Sequence, residues 1–177
     1  MQEHLFLKED FIYKKKNSIT KELCIDIIEI FENDVSNNLC NCDNMEYNPQ
    51  YTTIKQYLKK ELKRNIHDYE KEINKIKGYK MFHIEKCNFV FHIGTNNTSN
   101  STISYINRVS VDSTDVKLLM FIWFLNDYDG EIIFWNEHRI IPEVGKCIIF
   151  PISWCFPHKE LINLQTKKYI IYGYIYI

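Results

Sequence analysis

Leu118-Leu-Met-Phe-Ile-Trp-Phe-Leu-Asn-Asp-Tyr-Asp-Gly-Glu-Ile-Ile-Phe134 joins the longest apolar run of the chain, residues 118–125, through the turn residues 127–130 to a second β-branched run. A bilayer-spanning helix needs about 20 apolar residues, so this run is too short to cross a membrane and reads as a buried strand. The same grammar extends in both directions. Short aromatic and β-branched runs predict strands near 80–84, 88–93, 103–111, 118–126, 131–135, 139–141, 146–151 and 169–177. Residues 94–101, 127–130, 142–145 and 157–166 read as turns and loops between them.

Upstream the period changes. Ser18 is placed as an N-cap, followed by Ile19, Leu23, Ile27, Ile30 and Phe31 on one helical face, with the helix ending near Asn33. Residues 36–49, rich in Asn, Asp and Cys, read as a loop. Ile54, Leu58, Leu62, Ile66, Tyr69 and Ile73 then mark a long amphipathic helix, and the charge run 59–64 is its solvated side. Two helices followed by about eight short strands predict an α+β chain, a helix-backed antiparallel sandwich or jelly roll. It is expected to form a single domain over 1–177, with 1–79 as helical support and 80–177 as the sheet core.

The composition is that of a globular protein. Of 177 residues, 45% are hydrophobic and 25% charged, which excludes disordered and collagen-like classes. A net charge of -1 provides no global field toward nucleic acid or anionic membranes, so neither is expected as a partner. The first ten residues have neither the basic start nor the apolar core of a signal peptide, and the expected location is intracellular, cytoplasmic or nuclear, rather than secreted. Six scattered cysteines then read as reduced thiols. Cys40-Asn-Cys42 has no second close pair to complete a structural zinc site, and the acceptor triplets at Asn96 and Asn100 read as a polar loop.

Taken in order, Phe121-Ile-Trp-Phe-Leu-Asn-Asp127, Asp129-Gly-Glu-Ile-Ile-Phe134, Ile141-Pro142, Gly145, Ile148-Ile-Phe-Pro151, Trp154, Pro157-His158 and Lys168-Tyr169 form one constellation. It resembles the catalytic core of the 2-oxoglutarate and iron(II)-dependent dioxygenases, in the prolyl 4-hydroxylase-like branch that includes viral members. The resemblance covers residues 81–177. It implies a double-stranded β-helix barrel of the jelly-roll, cupin-like kind, backed by two N-terminal helices, with Fe(II) and 2-oxoglutarate as cofactors. It also implies His158 as an iron ligand and Lys168, ten positions later, as the residue that binds 2-oxoglutarate. The chemistry agrees with that spacing. Oxygen-activating iron(II) takes two imidazoles and one carboxylate on one face, and a lysine on the next strand can pair with the far carboxylate of a chelated dicarboxylate.

The remaining ligands depart from the pattern. The family's His-x-Asp or His-x-Glu precedes the Leu-Asn-Asp strand, and here residues 104–115 contain no histidine. Aligning Ser110-Val111-Asp112 with that triplet keeps Asp112 as the carboxylate and puts a hydroxyl in place of the imidazole; aligning Arg108-Val109-Ser110 loses both ligands. His92, in Phe91-His92-Ile93-Gly94, matches the His-x-Gly form of the related halide-accepting enzymes but lies 34 positions before Asn126. A serine hydroxyl is a poor iron(II) ligand. The reading that follows is a degenerate member acting as a binding or interaction module; the alternative is an active hydroxylase of a protein side chain using Fe(II) and O2. In both, the macromolecule it meets is a protein substrate or partner. Trp123, Trp135 and Trp154 are assigned to core packing or the pocket rim, and 169–177 to an interior strand rather than an edge.

Overall fold

The computed structural model describes residues 8–36, 45, 49–75, 88–89, 91–95, 117–163 and 166–176. The strands expected at 80–84 and 103–111, and with them Ser110 and Asp112, lie outside the described residues, as do Cys40 and Cys42. In chain order come β1 (Tyr13–Lys15), α1 (Lys21–Ser36), α2 (Thr52–Asn74), β2 (Asn88–Phe89), β3 (His92–Thr95), β4 (Lys117–Phe124), β5 (Gly130–Phe134), β6 (His138–Ile140), β7 (Cys147–Pro151), β8 (His158–Ile162) and β9 (Tyr169–Tyr176).

The helices form where the period of three and four put them. In α2, Leu58, Leu62, Ile66, Tyr69 and Ile73 are buried on one face, while Lys59, Lys60, Lys63 and Arg64 are exposed. Glu61 departs from the solvated reading of that run: it is buried and paired with Arg64 at 2.5 Å. The cap of α1 is Thr20, whose Oγ1 accepts the Leu23 N–H at 3.2 Å, rather than Ser18. Ser18 is buried two residues earlier, where its Oγ accepts from Asn65 Nδ2 at 2.7 Å and Trp123 Nε1 at 3.0 Å. Polar groups sealed between a helix and a sheet must find partners there, and this hydroxyl serves two.

Among the described residues all strand pairs are antiparallel and fall into two sheets. The larger runs β1-β7-β4-β9-β2, with β3 also pairing β9; the smaller runs β6-β5-β8. Alternation along the strands builds three layers. Leu119, Phe121, Trp123, Cys147, Ile149, Ile171 and Ile175 point from the large sheet to α1 and α2. Met120, Ile122, Phe124, Ile148, Phe150 and Ile170 point the other way, onto Ile132, Phe134 and Ile140 of the small sheet.

The expected double-stranded β-helix barrel is not what forms. Among the described residues no ladder joins the two sheets: β6 and β8 end the small one, and the sheets meet face to face through side chains. Barrel closure requires edge-to-edge hydrogen bonding, and here the apolar layer does the joining instead. The α+β composition, the antiparallel sheets and the two N-terminal helices are as read. Two local expectations also change. Residues 158–162, read as loop, form strand β8, and β1 adds an edge strand that the sequence did not signal. The interior position of β9 holds, between β4 on one side and β2 and β3 on the other. No described helix is long and apolar enough to cross a membrane.

Candidate functional site

The inner face of the two sheets collects the chemistry. β8 pairs with β5 in the register Phe134 opposite His158, Ile132 opposite Glu160 and Gly130 opposite Ile162. Partners directly across a ladder share a face, so His158 and Glu160 point with Phe134 and Ile132 into the layer between the sheets. Gly130 belongs to this register: a Cβ there would stand 2.6 Å from the Leu161 carbonyl oxygen.

His158 is held on three sides. Its ring centroid lies 5.3 Å from that of Phe134 and 5.0 Å from that of Phe150, and Nδ1 is 3.2 Å from the Phe156 carbonyl oxygen. A carbonyl only accepts, so Nδ1 carries the proton in this contact and Nε2 keeps its lone pair. Burial against the two phenyl rings holds the imidazole below the ordinary histidine range, and the Phe156 contact opposes this. The result is a neutral imidazole oriented by a backbone carbonyl, the state in which histidine binds metals. The lowered value also sets a sign for stability. The unfolded chain, with its histidine near about 6.5, binds the proton first, so stability falls as pH drops from about 6.5 toward the lower folded value. Replacing His158 by phenylalanine is expected to flatten that part of the urea-midpoint profile between about pH 7 and pH 5. An unchanged slope would assign the acid sensitivity to other groups.

Lys168 is positioned by the Leu-Asn-Asp stretch. Asn126 Nδ2 donates to the Lys167 carbonyl at 2.7 Å, its Oδ1 accepts the Tyr169 N–H at 2.8 Å, and the Leu125 N–H donates to the Tyr169 carbonyl at 2.9 Å. These bonds flank Lys168 and place it on the same face as Ile170, Tyr172 and Tyr174. Asp127 Oδ1 accepts the Val144 N–H at 2.7 Å, fixing the turn before β7. The motif letters thus have a mechanical role: they clamp the start of β9.

The Lys168 ammonium donates to Glu160 Oε2 at 2.7 Å, and the Tyr128 hydroxyl donates to Glu160 Oε1, also at 2.7 Å. Burial and the neighbouring Glu160 charge push the Tyr128 phenol far up, so it remains a donor. The structure therefore places His158 and Glu160 on the small sheet facing the large one, and Glu160 ties that strand to Lys168 at the start of β9.

Glu160 and Tyr128 were not picked out by the sequence reading. Once 158–162 is a strand, Glu160 follows from period two; Tyr128 sits in a turn and had no signal. The backbone of His92 pairs with Tyr172 on β3 and β9. His138 belongs elsewhere, with Nδ1 2.6 Å from Glu9 and Nε2 3.2 Å from Lys14 Nζ. Trp123 is core and Trp135 packs on Phe134 and Phe156, whereas Trp154 is 81% exposed rather than packed.

Among the described residues no group of three His, Cys, Asp or Glu side chains could hold a metal ion. In sequence, residues 104–115 offer no second imidazole, and among the described residues the Lys168 charge is met by Glu160.

No family model matches the chain, and no curated protein matches it in sequence. Solved structures do match. The viral collagen prolyl hydroxylase of Paramecium bursaria Chlorella virus-1, in a structure described as its 2OG complex, is 14% identical with a TM-score of 0.67, over 94% of this chain and 96% of that one. A prolyl-4-hydroxylase of Pseudomonas putida is 13% identical with a TM-score of 0.63, over 93% and 87%. The prolyl hydroxylase of Trichoplax adhaerens, in complex with a hypoxia inducible factor peptide fragment, is 13% identical with a TM-score of 0.54, over 96% and 84%. The chain shares the fold of these prolyl hydroxylases at low sequence identity.

Proposed function

We propose that the protein is a degenerate relative of the prolyl 4-hydroxylase-like dioxygenases, a single domain over 1–177 that binds a protein partner rather than oxidising one. On this reading His158 is the counterpart of an iron ligand, Lys168 of the 2-oxoglutarate-binding residue and Asp112 of the acidic ligand. The observation that supports this reading is that Glu160, two residues from His158 on the same inward-facing strand, pairs with Lys168 from the facing sheet, with no histidine in residues 104–115 to complete an iron centre. Trp154, exposed on the turn that leads into β8, provides an aromatic contact for a protein partner.

Two things follow for the described side chains. His158 offers Nε2 and holds its proton at Nδ1; Lys168, buried between two residues whose backbone Asn126 bonds, has its ammonium paired with Glu160. In a complete site, iron(II) with 2-oxoglutarate would supply oxygen activation, and the second imidazole that supports it is missing from the expected window. The test is succinate release from 2-oxoglutarate by purified protein with iron(II), ascorbate and oxygen. The expected result is no release above a protein-free control. Release that His158→Ala abolishes would overturn the degenerate reading and establish 2-oxoglutarate turnover at this site.

A further inference from the structure

Glu160 has no part in the resemblance, yet both of its carboxylate oxygens are engaged. Oε2 accepts from Lys168 Nζ and Oε1 from the Tyr128 hydroxyl, each at 2.7 Å. Lys168 is only 7% exposed, and a buried ammonium without a counter-charge is costly. A dicarboxylate presenting its far end to Lys168 would meet a charge already neutralised, and two carboxylates on one lysine repel each other.

The exposures of the pair are unequal. The Lys168 side chain is 9% exposed and lies between backbone groups clamped by Asn126, whereas the Glu160 side chain is 26% exposed on an outer strand of the small sheet. Of the two, Glu160 is the one able to leave.

We propose that Glu160 is an internal latch whose carboxylate occupies Lys168 in place of a ligand's carboxylate, closing the site to dicarboxylates until the ion pair opens. Tyr128 braces the latch shut from its other oxygen. The inference rests on the reading of Lys168 as a carboxylate-binding residue.

The test is calorimetric titration of 2-oxoglutarate, with manganese(II) present, into the full chain and three variants. Glu160→Gln removes the competing charge and is expected to bind about tenfold more tightly than the wild type, the scale of one charged hydrogen bond. Tyr128→Phe leaves the ion pair in place and removes only the brace, so it stays folded if Glu160→Gln does not; a rise of about threefold is expected. Lys168→Met is expected to lose binding. Equal affinities for the wild type, Glu160→Gln and Tyr128→Phe, with loss in Lys168→Met, would overturn the latch and leave the Lys168 reading standing. No binding by any folded variant would overturn both.

Discussion

Alanine at Gly145 is expected to lower stability by about 3 kcal/mol, the sum of a left-handed backbone penalty of about 1–2 and an overpacking penalty of about 1–3. Gly145 has φ +76°, and a Cβ there would stand 2.3 Å from the Ile19 carbonyl oxygen. That oxygen is backbone and cannot swing aside as a side chain would. The surroundings are also tied: the Gly145 N–H donates to the Phe124 carbonyl at 2.8 Å, and its own carbonyl accepts the Ser18 N–H at 2.8 Å and the Ile19 N–H at 3.3 Å. One residue thus pins the end of β4, the turn before β7 and the chain entering α1. Equilibrium urea unfolding measures the effect as a lower midpoint at constant slope. A loss under about 1 kcal/mol would show that the turn relaxes without cost, which its bonding argues against.

The sequence signalled what side-chain period encodes. In β4, β7 and β9 the alternation of large apolar residues sends one set to the helices and the other to the small sheet, and both faces read as buried. The same signal misled on the barrel. Period two says which face a residue takes and nothing about whether two sheet edges join by hydrogen bonds, so a face-to-face pair and a closed barrel have one signature. β8 failed for a different reason. His158-Lys-Glu-Leu-Ile162 carries charge on its inner face, and Lys168 together with the Tyr128 hydroxyl makes Glu160 tolerable there. That partnership is tertiary. Ser18 was likewise plausible as a cap by local chemistry, but Trp123 and Asn65 recruit it from the far side of the core.

The site divides the same way. His158 and Lys168 stood out by their spacing, while the parts that hold them did not. Asn126 was a motif letter until its amide was found clasping both neighbours of Lys168. Tyr128 lies in a turn whose composition announces a reversal and nothing about a hydroxyl aimed at Glu160. Asp112 lies outside the described residues, so its role remains a proposal.

Truncating Phe134 to alanine is expected to cost about 3–5 kcal/mol, the usual range for deleting a buried aromatic ring. Phe134 is fully buried on β5, the central strand of the small sheet, where its backbone pairs with β6 on one side and β8 on the other. Its ring meets Phe150 edge-on at 4.9 Å and covers His158 at 5.3 Å. The resulting cavity would lie beneath the imidazole, and because sheet hydrogen bonds hold both neighbouring strands, collapse can only be partial. A second effect follows. Desolvation is the main cause of the lowered His158 value, so removing one apolar wall is expected to return it toward the ordinary range. Urea unfolding measures the first effect and an NMR titration of the His158 ring protons the second. Phe134→Leu, which keeps most of the volume, is expected to show about 1 kcal/mol and a smaller rise. Loss of stability with an unmoved His158 titration would put the desolvation on the Phe150 side, making β7 rather than β5 the wall that keeps the imidazole neutral.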